Sequence, residues 1–310
     1  MKKRWRLGPL LLAGWLTAAG YDMTDRPLEM WAWATRQALT GAGLKPVVIE
    51  TKVGPQTAFV GGTGPLLVLL HGAGDQAGTW AQAAPALLQR YTLVIPDLAG
   101  HGDSAPATGP IEASVIVAGL EGVLSSQAGS RRMTIVGNSL GAWMAMVLAH
   151  RHLDWIERVV AVNGGPLKQV SAGVNLLPRS REEARQAMAG LRDASAPALP
   201  DVILDGMVRV AKNGPLARFA ATATTMEAWT LTEAQLRHLQ VPVCLIWGLS
   251  DRLMPLDYAK RLLAALPDVR LVTLERCGHI PQQEAPDRFL AALEGCLSAD
   301  GTSLPSDPIR

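Results

Sequence analysis

Cysteine is scarce. The chain has three in 310 residues, Cys244, Cys277 and Cys296, too few and too scattered for a disulfide framework or a CxxC metal site. No metal, structural zinc included, is therefore expected. Charge is also thin: Lys, Arg, Asp and Glu make up 18% of the residues, against roughly 25% in average domains. The 29 basic and 27 acidic side chains leave a formal net charge of +2. Charge-driven disorder is excluded, and a balance this near zero gives no electrostatic case for nucleic acid, which would need a basic stripe or patch; only the first residues are locally basic. What the chain does have is apolar residues, 48% of the total. They are enough for one large α/β domain with an insertion, or for two small domains.

The first twenty residues stand apart. Lys2, Lys3, Arg4 and Arg6 precede the uncharged run Leu7 to Ala19, which closes on Thr17, Ala18 and Ala19. Its 13 residues fall short of the roughly 20 that a spanning helix needs, and Asp22, Asp25 and Arg26 stop its extension. Residues 1–20 are predicted to be a secretory signal, cleaved near Ala19, so that the protein is exported to the periplasm or beyond. An uncleaved anchor is the competing reading. Trp5, Trp15, Trp31 and Trp33 place four of nine tryptophans in the first 33 residues, where interfacial aromatics can dock on a membrane surface.

From Val47 onward short apolar runs recur at Val47–Glu50, Pro65–His71, Tyr91–Asp97, Met133–Ser139, Arg158–Asn163, Val241–Gly248 and Val269–Glu275. Several lack alternation, as in strands covered on both faces, and the stretches between them have helical spacing, as in Trp80, Ala84, Leu87 and Leu88. The pattern predicts an α/β fold with a doubly wound, mostly parallel sheet. Between Gly164 and Leu239 it turns to helices only. Ser180 with Glu183 and Thr232 with Gln235 read as capping boxes, Asp201 after Pro200 as an N-cap, and Asn213-Gly214-Pro215 as a stop. The expected layout is core over 21–164, an inserted helical cap over 165–239, core again over 240–297, and a frayed tail over 298–310.

Chemistry gathers at the predicted strand ends. Gly137-Asn138-Ser139-Leu140-Gly141 matches G-x-S-x-G where an apolar strand meets a helix. A sharp turn there needs glycines at both flanks and lifts the Ser139 hydroxyl above the sheet, at the positive end of a helix dipole. The Leu140 N–H then faces a developing oxyanion. His71-Gly72-Ala73-Gly74 ends another strand, and Ala73 is the expected second N–H donor, with Gly74 as its close rival. His71 reads as structural. Asp251 stands on the loop after Val241–Gly248, whereas Asp257 falls inside a helix that Pro255 starts. His279 follows the last strand, freed by Gly278. Of the six histidines it is the one placed to act as a base; His101, His150, His152 and His238 lie in a turn or at helix ends.

The chain order Ser139, Asp251, His279 is that of the α/β-hydrolases, and the sequence resembles that superfamily from about Val47 to Leu297. Asp97-Leu98-Ala99-Gly100-His101-Gly102-Asp103-Ser104 is similar to the family's turn after its fourth strand. Within the superfamily, Asn175-Leu176-Leu177-Pro178 with Arg181-Glu182-Glu183-Ala184 resembles capped bacterial lipases, esterases and monoacylglycerol-lipase-like hydrolases. The His-Gly loop lacks the Gly-Pro-Gly continuation of hydrolases that cleave carbon–carbon bonds, and the elbow carries serine where dehalogenases and epoxide hydrolases carry aspartate.

The resemblance implies a serine hydrolase acting on a small-molecule carboxylic ester of an apolar acyl group, with no cofactor. Met207, Met226 and Trp229 are the expected substrate contacts, drawn from a set of apolar cap residues that also includes Met188, Leu191, Val202, Ile203 and Val210. Taken singly, each of these residues reads first as the buried stripe of an amphipathic helix, and it is the cap as a whole that points to an apolar acyl group. Carbon–carbon hydrolysis, cofactor-free haloperoxidation and acyl transfer use the same triad, and a non-catalytic binding protein on this fold is the alternative from outside enzymology.

Overall fold

The computed structural model describes residues 26–168 and 173–298. The expectations for residues 1–20 and for the tail beyond Ser298 lie outside them. Eight strands form one sheet: β1 (Lys45–Thr51), β2 (Gly54–Gly61), β3 (Leu66–Leu70), β4 (Thr92–Pro96), β5 (Met133–Asn138), β6 (Ile156–Val162), β7 (Val243–Gly248) and β8 (Val269–Leu274). Their order is β1-β2-β4-β3-β5-β6-β7-β8. The β1–β2 and β2–β4 pairs are antiparallel and the rest are parallel.

The central strands are apolar without alternation because both sheet faces are covered. In β3, Leu66, Val68 and Leu70 pack into one core while Leu67 and Leu69 pack into the other. Fully burying one such side chain is worth about 1.5–3 kcal/mol. The first core takes residues from α3 (Ala113–Ala128), α4 (Leu140–Arg151) and α10 (Leu256–Ala265). The second takes them from α1 (Pro27–Gly41), α2 (Ala84–Leu87) and α12 (Pro286–Leu297). The remaining helices are α5 (Arg181–Leu191), α6 (Asp201–Asn213), α7 (Pro215–Ala220), α8 (Ala223–Met226), α9 (Glu233–Leu236) and α11 (Pro281–Glu284). Of these, α5 to α9 form a helical insertion between β6 and β7. Among the described residues no helix is long and apolar enough to cross a membrane.

Several details depart from the sequence reading. β2 and α1 escaped it. The strand begins on Gly-Pro and spends half its length at partly exposed positions on the antiparallel side of the sheet. The helix carries its tryptophans outward, Trp31 40% and Trp33 51% exposed, so it shows no clean apolar stripe. Thr232 and Gln235 form the full capping box, but Ser180 accepts only from the Glu183 N–H while the Glu183 carboxylate turns to the Arg179 N–H. Pro200, rather than Asp201, is the N-cap of α6, and Asp201 opens the helix in an ion pair with Arg181. Two of the three cysteines are joined: Cys244 on β7 and Cys296 on α12 form a disulfide with Cα atoms 5.7 Å apart. A separation of 52 residues hides such a pair until the helix docks on the strand.

Candidate active site

The strand-to-helix turn at Ser139 is as tight as the glycines imply. Ser139 sits at φ 54° and ψ −114°, a strained conformation for a residue with a side chain. A Cβ on Gly137 would stand 2.3 Å from the Gly141 carbonyl, and one on Gly141 would stand 2.4 Å from the Leu70 carbonyl oxygen. Neither approach leaves room for another residue. Ser139 is the N-cap of α4, so the helix N-terminus begins directly beside its hydroxyl.

Asp251 and His279 lie on the loops that follow β7 and β8, at the same sheet edge as the Ser139 turn. His279 Nδ1 donates to Asp251 Oδ2 over 2.6 Å, with both side chains buried. A neutral imidazole that donates from Nδ1 keeps its lone pair on Nε2. The carboxylate takes three further donors: the Leu253 and Met254 N–H groups at Oδ1, 2.9 and 3.0 Å away, and the Asn163 amide at Oδ2, 2.7 Å away. Asn138, next to Ser139 in the chain, donates to the His279 carbonyl at 2.9 Å and ties the histidine loop to the nucleophile strand. Asp257 does not belong to this group. It lies on α10 with its side chain 88% exposed and pairs with Lys260.

Sequence reasoning missed Asn163 and Asn138. Asn163 directly follows β6 at φ 44°, and its Oδ1 also accepts from the Gly248 N–H at 2.9 Å. The available signal was the Asn-Gly-Gly at a strand end, a place where left-handed asparagine is common.

Ser139, Leu140 and Ala73 share the wall of a cavity of about 500 Å³. Neither the Ala73 nor the Leu140 N–H donates to an acceptor among the described residues. Gly74 is absent from the wall, which favours Ala73 over its rival. The rest of the lining is mostly apolar, with Trp143, Phe219, Met226, Leu216 and Tyr258 prominent. Its charged members, Lys168 and Glu227, are paired with each other.

Of the three expected substrate contacts, Met226 lines this cavity; Met207 and Trp229 do not. Met207 lies on α6, whose buried Gly206 packs against Pro27 and Leu28 of α1, a neighbour the sequence reading had not foreseen. Trp229 serves the site by its backbone: its carbonyl accepts from Trp143 Nε1 at 2.8 Å, while its ring carries the Arg151 guanidinium.

His71 is structural, as expected. Its Nδ1 meets the Gly72 carbonyl at 2.8 Å and its Nε2 accepts from the Leu98 N–H at 2.9 Å, which locks the loops after β3 and β4 together. Burial lowers its pKa to about 4. His101, 5.3 Å away ring to ring, is buried with it.

Comparisons with known proteins place the chain in a family. The alpha/beta hydrolase family profile matches residues 67–292. An uncharacterised protein of Mycobacterium tuberculosis strain H37Rv is 31% identical over 279 residues, covering 79% of each chain. A 2-hydroxy-6-oxononadienedioate/2-hydroxy-6-oxononatrienedioate hydrolase of Cupriavidus pinatubonensis is 28% identical over 280 residues, 83% of this chain and 96% of that one. Among solved structures, a bacterial membrane phospholipase A superposes with a TM-score of 0.73 at 25% identity, covering 94% of this chain and 97% of its own. The chain belongs to the alpha/beta hydrolase family and is a hydrolase.

Proposed function

We propose that the protein is a serine hydrolase of carboxylic esters with apolar acyl groups. Ser139 attacks the acyl carbonyl as His279 takes its proton, Asp251 holds the imidazole, and the Ala73 and Leu140 N–H groups receive the oxyanion. His279 returns the proton to the departing alcohol. Water, deprotonated by His279, then attacks the acyl-enzyme, and Ser139 is restored with release of the carboxylic acid.

The observation that carries this reading is the cavity. Ser139 opens into about 500 Å³ of mostly apolar wall whose one cation among the described residues, Lys168, is paired with Glu227. A neutral acyl chain can displace water there without leaving a charge unpartnered, whereas a carboxylate on the chain would be desolvated. Each buried methylene is worth about 0.8 kcal/mol, close to fourfold in catalytic efficiency. Efficiency on p-nitrophenyl esters is therefore expected to climb from acetate to hexanoate or octanoate, and to drop when the acyl chain ends in a carboxylate. A steady fall from acetate onward would overturn the apolar-acyl reading.

A second reading rests on the relatives whose names describe hydrolysis of 2-hydroxy-6-oxo-dienoates. Turnover of such a vinylogous diketone faster than of any ester would favour it. Labelling of Ser139 by a fluorophosphonate separates both from a non-catalytic binding protein.

Export belongs to the same proposal. It is supported by the basic start, the short apolar run and the Cys244–Cys296 bridge, since disulfides persist in oxidising compartments. Mass spectrometry of the native protein should find the N-terminus near Gly20. An intact Met1 in the membrane fraction would favour the anchor.

A further inference from the structure

The helical insertion does more than roof the cavity. The end of α5 is hydrogen-bonded to both loops that carry the acid and the histidine. The Leu191 carbonyl accepts from the His279 N–H at 2.7 Å, and the Gly190 carbonyl accepts from the Arg252 N–H, next to Asp251, at 2.9 Å. The Asp193 carboxylate takes the Ser250 hydroxyl. The approach is so close that a Cβ on Gly278 would stand 2.1 Å from the Leu191 oxygen. A second side chain spans the junction. Glu284, at the end of α11, accepts from the Asp193 N–H with Oε1 at 2.8 Å and from the Gly278 N–H with Oε2 at 2.9 Å.

We propose that Glu284 is a positioning residue of the triad: by holding both N–H groups at once, its carboxylate locks the end of α5 against the histidine loop and so fixes where His279 stands. Both partners are donors, so a carboxylate, with acceptors on both oxygens and no donor, matches them as an amide cannot. Charge-assisted bonds of this kind are the stronger class. From the sheet side the histidine loop is held at its carbonyls, by Asn138 at His279 and by the Ser250 N–H at Cys277, so Glu284 supplies the hold on the Gly278 N–H. Seating of the insertion and placement of the base are then a single event.

The inference rests on Ser139 acting as the nucleophile, so its test reads that nucleophile directly. Glu284→Ala and Glu284→Gln are compared with wild type for the rate of fluorophosphonate labelling and for kcat and KM on p-nitrophenyl acetate and hexanoate, each variant checked as folded by circular dichroism. Misplacement of a base by about 1 Å costs on the order of 100-fold, so labelling rate and kcat should fall about 10- to 100-fold in Glu284→Ala, equally on both esters, with KM within about twofold. Glu284→Gln keeps one acceptor and should retain more of kcat. It also serves as the readout if Glu284→Ala fails to fold.

Unchanged labelling and kcat in the glutamine variant would overturn the inference, as would a loss confined to KM on the longer ester. A wild-type protein that does not label would overturn the serine reading itself, and the inference with it.

Discussion

Asn163 and His279 donate to the same carboxylate oxygen, Oδ2 of Asp251, from 2.7 and 2.6 Å. One strand end thereby orients the acid that orients the base, and the Asn163 Oδ1 turns back to the Gly248 N–H to hold the acid loop itself. Removing the amide takes away the second donor at Oδ2 and leaves the carboxylate, apart from its bond to His279, held by the Leu253 and Met254 N–H groups at Oδ1 alone. Asn163→Gly tolerates φ 44° without strain and removes both amide hydrogen bonds, to Asp251 and from Gly248, and it should lower kcat on esters about 10- to 100-fold. Asn163→Ala adds backbone strain, of order 1–3 kcal/mol, and should also lower the melting temperature. Urea denaturation beside steady-state kinetics separates the two effects.

Ser139→Ala should abolish ester turnover, by about 10,000-fold or more, with the fold retained. The strained turn supplies an internal control. Ser139→Gly removes the same nucleophile and also the cost of a Cβ at φ 54°, so it should be more stable than Ser139→Ala by about 1 kcal/mol. Paired thermal melts check the ordering, and near-normal turnover in either variant would refute the serine mechanism.

Of the two candidate carboxylates, Asp251 should be the one that matters. Asp257→Ala removes an exposed partner of Lys260 and should leave kcat within about twofold, because exposed ion pairs contribute about 0–1 kcal/mol. Asp251→Ala should lose about four orders of magnitude. Measuring both on p-nitrophenyl butyrate decides the matter.

Stability should decline in mild acid. Burial lowers the pKa of His71 to about 4 and that of His101 to about 3, both below the 6.5 of an unfolded histidine. Between these values the unfolded chain binds protons that the folded one refuses, so stability drops as pH falls from 6.5 towards 4. Protonated His71 would lose the acceptor for the Leu98 N–H, and protonated His101 would bury an Nε2–H where no partner exists among the described residues. Asp75 acts in the opposite sense. Burial raises it to about 6 from 3.8, so its contribution is present below pH 3.8 and is lost as pH rises through 6. Two histidines against one carboxylate leave the unfolded chain binding about one proton more than the folded one near pH 5, so stability falls as the pH drops there. Urea titrations at successive pH values measure it, and His101→Asn should flatten the slope by about one proton's worth.

Much of this molecule was legible in the sequence because it depends on neighbours in the chain. The runs that became β3, β5 and β7 announce strands covered on both faces, since that burial needs only a local absence of polar residues. Gly137 and Gly141 announce the elbow, since the clash a side chain would cause lies within the turn. Asp251 and His279 could be placed because each follows its strand directly. Other features depend on which surfaces meet, and only the tertiary structure decided them. The apolar residues of α6 looked suited to line the catalytic pocket, yet Met207 is not in its wall and the helix packs on α5 and α1. Cys244 and Cys296 looked solitary until α12 docked on β7. Asn163 and Glu284 looked like ordinary polar residues until loops distant in sequence brought donors to them. A hydrogen-bond partner or a packing face is fixed by proximity in space, and spacing along the chain reports that only when the partner is close in sequence.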